Sequence, residues 1–181
     1  MFKKIESYCL AKYIPNKKEE AEFLKEASFF INSKNTLNSG KLAEWYISEM
    51  LENSKVNFQV QPKIEYKIEN TLKFIKPDFY IPKKNLFIEV KSKTFNCSGT
   101  ASEKIDHIPR KYSKLEFSKD IYSSSKVLVI FCGGELSTPS TKELICKDLS
   151  KKSEYTIEFI KLARKHKIVD WGNSELIKYY I

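Results

Sequence analysis

The sequence predicts a mixed α/β fold in one domain over residues 1–181, with a mixed central sheet flanked by helices. Three observations support this prediction. Apolar residues recur at helical spacing before residue 54, alternate with polar residues after Val56, and form an unbroken run near residue 130. Helices on both sides of a set of strands are typical of a sheet covered on its faces. A chain of 181 residues is long enough for one core and short for two domains.

Two amphipathic helices are predicted before the sheet. The segment NKKEEAEFLKEASFFINSK, residues 16–34, carries apolar side chains mostly at helical spacing and acids near its start. The segment KLAEWYISEMLENS, residues 41–54, repeats the pattern. The Asn-Ser-Gly that precedes it is a suitable helix cap, so a second helix is expected directly after the first.

Three consecutive antiparallel strands are predicted next, as a meander. Alternation with a period of two begins at Val56 and continues to residue 68. The turn ENT leads to LKFIKPDFYI, residues 72–81, and the turn PKKN leads to LFIEVKS, residues 86–92. Pro77 favours an edge position or a local bend in the second of these strands, because proline cannot donate to a sheet.

The second half of the chain predicts helices around one buried strand. Residues 102–124 indicate a basic helical segment, broken near Pro109 because proline disrupts a helix interior. The apolar run KVLVIFCGG, residues 126–134, is typical of a strand buried on both faces and closed by a glycine turn. Further helices are expected within 140–150 and 154–167.

Composition favours an intracellular protein with a polyanionic partner. Lys and Arg outnumber Asp and Glu by 32 to 23, a net charge of +9, which favours nucleic acid, although scattered lysines also serve as solubilising surface. We find no apolar run long enough to span a bilayer and no signal peptide, so we expect no membrane partner and a cytoplasmic location. The four cysteines lie singly, which predicts free thiols without a zinc site or a disulfide framework.

One group of charged residues stands out on the predicted meander. Side chains alternate along a strand, so Glu89 and Lys91 project to one face while Ile88 and Val90 point to the other. The turn before Leu86 would bring the preceding strand, with Asp78 near its end, alongside them. Paired carboxylates with a main-chain carbonyl and waters suit Mg²⁺. Such an ion could stabilise a phosphodiester transition state, and a neighbouring lysine could orient or deprotonate water or neutralise phosphate charge.

These residues resemble a known nuclease superfamily. Pro77-Asp78, ten intervening residues and then Glu89-Val90-Lys91 resemble the PD-(D/E)XK motif. That superfamily includes most type II restriction endonucleases, Vsr-like mismatch nucleases and archaeal Holliday-junction resolvases. The resemblance covers roughly residues 40 to 132 and implies a restriction-endonuclease-like core. It further implies that Asp78 and Glu89 bind Mg²⁺ or Mn²⁺, that the Val90 carbonyl completes the metal site, and that Lys91 acts on the attacking water.

The same resemblance suggests two further site residues. Members of the superfamily often carry a glutamate on the helix before the meander, and Glu44 is the candidate here, with Glu49 as the alternative. Gln61 resembles a glutamine at the end of the first strand in Vsr-like nucleases. Each of these residues is also compatible with an ordinary surface position.

The segment after Lys91 is expected to contact the substrate. Small hydroxyl residues before a helix can bind phosphate through their hydroxyls and backbone amides, and basic residues within the helix add positive charge. A loop followed by a solvated helix is the alternative. The residues expected to contact substrate are Ser98, Thr100, Ser102, Lys104, Arg110 and Lys111.

The resemblance implies a Mg²⁺-dependent endonuclease that hydrolyses double-stranded DNA. A type II restriction endonuclease or its small cleavage subunit is the first choice, and either a homodimer or a larger specificity subunit would supply sequence recognition. A Holliday-junction resolvase, a transposase nuclease subunit and a non-catalytic nucleic-acid-binding module remain alternatives, and DNA is not distinguished from RNA. With two histidines and no phosphate-binding loop, a His-based metal hydrolase and an ATPase are disfavoured.

Overall fold

A computed structural model describes residues 1–93, 107–134, 139–146, 148, 150, 152 and 154–181. The fold is mixed α/β, with a central sheet flanked by helices, as predicted. The helices are α1 (Phe2–Cys9), α2 (Lys17–Phe30), α3 (Ser39–Asn53), α4 (107–112), α5 (Asp120–Ser123), α6 (Pro139–Ile145) and α7 (Glu154–Lys165). The strands are β1 (Gln59–Val60), β2 (Ile64–Ile68), β3 (Thr71–Ile75), β4 (Phe79–Ile81), β5 (Leu86–Lys93), β6 (Lys126–Gly133) and β7 (Ile168–Asn173).

Both predicted N-terminal helices are confirmed, and their caps explain where they begin. Asn16 accepts hydrogen bonds from the backbone of α2 and forms a capping box with Glu19. Asn38 accepts one from the Lys41 amide at the start of α3. Helix α1 was not predicted, because its eight residues are too few for a clear helical period and its boundaries lack a capping side chain.

Five of the described strands form a mixed sheet in the order β1-β4-β5-β6-β7. Strand β4 is antiparallel to β1 and β5, whereas β6 is parallel to both β5 and β7. Strand β6 is buried along all of its length except Lys126, which confirms the strand predicted to be buried on both faces. Strand β7 and the 3-10 helix Ser174–Tyr179 were not predicted.

The predicted meander is divided by a hairpin. Residues 56–68 form β1 and β2, and residues 72–81 contribute to β3 and β4, so that β2 pairs with β3 outside the main sheet. Pro62 and Pro77 lie in these two interruptions, where a missing N–H ends the ladder. The bend expected at Pro77 is therefore confirmed. The prediction of three unbroken consecutive strands was wrong. The hairpin turn is made by Glu69 and Asn70, both with positive φ.

The prediction of a helix break near Pro109 was also wrong, because the described residues 107–112 form a continuous helix. Helix α4 continues through Pro109 to residue 112 and passes into a 3-10 helix, Ser113–Phe117. The chain becomes extended only at Ser118. Helices α6 and α7 confirm the last two predicted helices, although α6 ends at Ile145.

The sheet separates two hydrophobic clusters. The first cluster lies between the sheet and α1, α2 and α3, and includes Ile88, Val90 and Leu128. The second lies on the other face, between the sheet, the hairpin and α4 to α7. Gly133 ends β6 with a φ of 61°, and an added Cβ would lie 3.0 Å from the Tyr8 ring. None of the described helices combines the length and the apolar character required to cross a bilayer.

Candidate active site

Asp78 lies directly before β4, next to Glu89 of the neighbouring strand β5. Phe79 of β4 pairs with Ile88 of β5, and continuing this antiparallel register by one residue places Asp78 opposite Glu89. The Val90 amide donates a 2.7 Å hydrogen bond to Asp78 Oδ2. Burial, and then the nearby Glu89 carboxylate, raise the pKa of Asp78 to about 7. The predicted meeting of these two carboxylates is therefore present.

Glu89 is almost completely buried and has three donors around its carboxylate. Its side chain is 3% exposed. Lys91 Nζ lies 2.5 Å from Oε1, while Lys111 Nζ and the Tyr112 hydroxyl lie 2.7 Å and 2.6 Å from Oε2. Burial acts to raise the pKa of Glu89, but the two lysines outweigh burial and hold it below its ordinary value. The carboxylate therefore stays ionised at neutral pH.

Lys91 lies among oxygen atoms on the face predicted for it. Its ammonium contacts Glu89 Oε1 and lies 3.3 Å from the Val90 carbonyl oxygen. Although burial acts against its charge, Glu89 and Asp78 raise the pKa of Lys91 above its usual value. The neighbouring carboxylates therefore favour the charged form of Lys91.

Glu44 also faces this group of charges. Helix α3 packs against β5, and the Gln61 side-chain amide donates a 3.4 Å hydrogen bond to Glu44 Oε2. Burial raises the pKa of Glu44, while the Gln61 hydrogen bond and the Lys91 charge limit that rise. The structure thus brings Glu44 and Gln61 together beside Lys91, in agreement with their expected positions.

Lys111 contacts the site itself. Its ammonium donates to Glu89 Oε2 and, at 2.7 Å, to the Lys76 carbonyl oxygen. It therefore joins β5 to the chain segment just before Asp78. Lys111 was predicted as a phosphate contact, and in this structure its charge is directed at a carboxylate.

Tyr112 is a site residue that the sequence did not identify as one. Its side chain is buried and donates its hydroxyl hydrogen to Glu89. Burial, and then Glu89, raise the pKa of Tyr112 well above its ordinary value, so the hydroxyl remains a donor. In the sequence, the position of Tyr112 beside Lys111, in a helix predicted after the motif, was the one indication that Tyr112 could belong to the site. That position does not indicate which way the Tyr112 side chain points.

An open cavity of about 440 Å³ lies beside these residues. Its lining includes Glu89, Lys91 and Lys111, together with His107 and Ile108 from α4. This volume is within the range of ordinary ligand pockets. A substrate in the cavity would therefore be next to both lysines.

Of the remaining predicted substrate contacts, Arg110 lies within the described residues. Arg110 is exposed, and its carbonyl oxygen accepts a hydrogen bond from Ser113. Four other expected substrate contacts lie outside the described residues: Ser98, Thr100, Ser102 and Lys104.

The oxygen atoms at this site are suited in type to a divalent cation. Asp78, Glu89 and the Val90 carbonyl supply hard oxygen donors, and Mg²⁺ fills the rest of its coordination shell with water. The Lys91 ammonium already contacts two of the three residues, which shows that a positive group is accommodated among them. Within the described part of the chain, no cluster of three or more His, Cys, Asp or Glu side chains could hold a metal ion. A metal here would depend on two carboxylates, the carbonyl and water.

Comparisons with protein-family models, curated proteins and solved structures found no match to this chain. The resemblance to PD-(D/E)XK nucleases therefore depends on the motif and on the arrangement of its residues.

Proposed function

We propose that this chain is a Mg²⁺-dependent endodeoxyribonuclease of the PD-(D/E)XK superfamily. The observation that carries the proposal is the meeting of Asp78, Glu89 and Lys91 beside an open cavity that Glu89 and Lys91 line. Asp78 lies directly before β4, opposite Glu89 of β5. Crowding buried charges is costly unless oppositely charged partners offset the cost. A metal ion and a phosphate would complete this set of charges.

Each residue has a role in the proposed reaction. Asp78, Glu89 and the Val90 carbonyl would hold Mg²⁺, with Mn²⁺ as an alternative, and the ion would supply Lewis-acid stabilisation and a more acidic bound water. Lys91 would orient the water or neutralise charge on the phosphate. Lys111 and Tyr112 would keep Glu89 oriented through Oε2, and Glu44 would face the same volume from α3.

The biological role that fits this proposal best is type II restriction, in the cytoplasm. The substrate would be double-stranded DNA. A homodimer would present two sites to the two strands, and a larger specificity subunit is the other way to supply recognition.

The test is cleavage of DNA by purified protein. Unmethylated linear DNA, supercoiled plasmid and a four-way junction are incubated with Mg²⁺ or with EDTA. We expect Mg²⁺-dependent cleavage by the wild type and a loss of at least about 100-fold in rate in Asp78→Ala, Glu89→Ala and Lys91→Ala. Lys83→Ala, at an exposed lysine in the turn between β4 and β5, is the matched control and should cleave normally.

Full activity in Asp78→Ala or Glu89→Ala would exclude the proposed site. Cutting of the junction but not of linear DNA would identify a resolvase. Binding that is indifferent to Mg²⁺, without cleavage of any substrate, would identify a non-catalytic nucleic-acid-binding module.

A further inference from the structure

The hairpin formed by β2 and β3 has an exposed outer face that carries both apolar and charged side chains. Alternation along the two strands places Lys63, Glu65, Lys67, Leu72, Phe74 and Lys76 on this face. All six are exposed. Leu72 is 62% and Phe74 is 52% exposed, although apolar side chains of this size are usually covered. The outer face is therefore a combined apolar and basic surface.

The inner face anchors the hairpin to the protein. Ile64 and Ile75 are buried in the second hydrophobic cluster, where Tyr112 also lies. Tyr66 forms an isolated antiparallel bridge with Ser118. The outer face is consequently held in a defined position relative to the residues around Glu89.

The hairpin also leads directly into the candidate active site. Strand β3 ends at Ile75, and Lys76 and Pro77 connect it to Asp78. The Lys76 carbonyl oxygen accepts a hydrogen bond from Lys111, which contacts Glu89. The end of the hairpin at Lys76 is therefore joined through Lys111 to the lining of the cavity.

The charges on the hairpin favour a polyanion. Between residues 63 and 76 there are four lysines and two glutamates, so the segment carries two excess positive charges. The ammonium groups of Lys63 and Lys76 lie 4.5 Å and 6.0 Å from the centre of the Phe74 ring. Phosphates would be attracted to the ammonium groups, while an aromatic ring between them suits contact with a sugar or a base.

We infer that the outer face of this hairpin binds the duplex on which the proposed nuclease acts. Lys63, Lys67 and Lys76 contact phosphates, and Phe74 and Leu72 contact sugars and base edges in the adjoining groove. The inference deepens the proposed function and depends on it for the identity of the ligand. It assigns duplex binding to a segment that lies outside the motif and outside the five-stranded sheet.

The experiment measures binding and cleavage separately. Affinity for a short labelled duplex is measured in EDTA by fluorescence anisotropy as a function of salt, for the wild type, Phe74→Ala and the double variant Lys63→Gln/Lys67→Gln. We expect Phe74→Ala to weaken binding about tenfold. The double variant should weaken binding and lower the slope of log affinity against log salt by about two. In the cleavage assay both should raise KM far more than they lower kcat.

Matched controls come from α2. Phe29 is 74% exposed, and Lys17 and Lys25 are exposed on the same helix. Phe29→Ala and Lys17→Gln/Lys25→Gln should bind like the wild type. Circular dichroism confirms that each variant is folded, which is expected because every substituted side chain is exposed.

The outcomes distinguish the hairpin inference from the proposed function. If the wild type cleaves DNA and the hairpin variants bind as tightly as it does, the hairpin inference is wrong and the nuclease function stands. If the hairpin variants lose binding but no protein cleaves DNA, the hairpin inference stands and the nuclease function is wrong. If Phe74→Ala instead dissociates a dimer in sedimentation without changing DNA affinity, the face joins two copies of the chain and the inference is wrong.

Discussion

Asp78 and Glu89 differ in protonation although they are neighbours in the same site. Glu89 has two ammonium groups and a hydroxyl within hydrogen-bond distance, whereas the hydrogen bond to Asp78 comes from the Val90 amide. The pKa of Glu89 is therefore lowered while that of Asp78 is raised to about 7. Different environments thus give two carboxylates different charges at the same pH.

This difference predicts how stability depends on pH. An unfolded aspartate has a pKa near 4, so between about pH 4 and pH 7 the folded protein holds a proton at Asp78 that the unfolded chain has released. The contribution of Asp78 to the free energy of unfolding therefore falls as the pH rises through this window and is constant above it. Asp78→Asn removes the ionisation, and its stability relative to the wild type should increase from pH 4 to pH 8.

Urea unfolding in EDTA at several pH values checks this prediction. Asp120→Asn, at an exposed aspartate that begins α5, is the matched control and should follow the wild type. A constant difference between Asp78→Asn and the wild type across this range would contradict the raised pKa.

Among the helices, α3 carries both a cap that the sequence predicted and a residue of the candidate site. Its cap, Asn38, accepts a 2.9 Å hydrogen bond from the Lys41 amide, and Glu44 follows along the same helix. The buried face of α3, which includes Leu42 and Ile47, packs in the first cluster. The cap therefore helps to define the position from which Glu44 faces Lys91.

Asn38→Ala should lower the free energy of unfolding by about 1 kcal/mol, because the Lys41 amide loses its acceptor. Asn38→Asp keeps an acceptor and should retain most of the stability. Urea unfolding measures both, with Asn57→Ala in the exposed loop before β1 as the control. Equal stability of Asn38→Ala and the wild type would show that the cap contributes nothing measurable.

At the scale of the whole molecule, the two hydrophobic clusters share the central strands. Along β6, Leu128 and Ile130 face the first cluster while Val129 and Phe131 face the second. Side chains for both clusters therefore come from one strand, and loss of that strand would remove support from both. The chain should unfold as a single cooperative unit.

The two tryptophans allow a direct test of this cooperativity. Trp45 packs against the first cluster and Trp171 against the second. In Trp45→Phe the remaining Trp171 reports unfolding of the second cluster. In Trp171→Phe the remaining Trp45 reports unfolding of the first cluster. We expect Leu128→Ala, introduced into either variant, to lower the free energy of unfolding by about 2 to 5 kcal/mol and to shift both probes equally.

The exposed Leu72 provides the control, since Leu72→Ala should change stability by less than about 0.5 kcal/mol. Separate unfolding midpoints for the two single-tryptophan proteins, or a shift confined to one of them, would show that the clusters unfold independently.

Local patterns were sufficient for a large part of the fold and for part of the site. Helical spacing and caps predicted α2 and α3, and the apolar run predicted β6. Strand alternation predicted that Glu89 and Lys91 share a face. The antiparallel register of β4 and β5 then places Asp78 opposite Glu89. Strand β7 and α1 were missed, because a short segment carries too little periodic signal.

Strand alternation and a short turn are local features, so the sequence alone predicted that Glu89 and Lys91 share a face and that Asp78 lies near them. Tertiary structure alone decided that Lys111 and Tyr112 hold Glu89, that Gln61 reaches Glu44, and that a separate hairpin stands beside the site. These contacts join residues from 17 to 23 positions apart. No local pattern encodes such a contact, because it forms only when the packing of one element against another fixes where each side chain points.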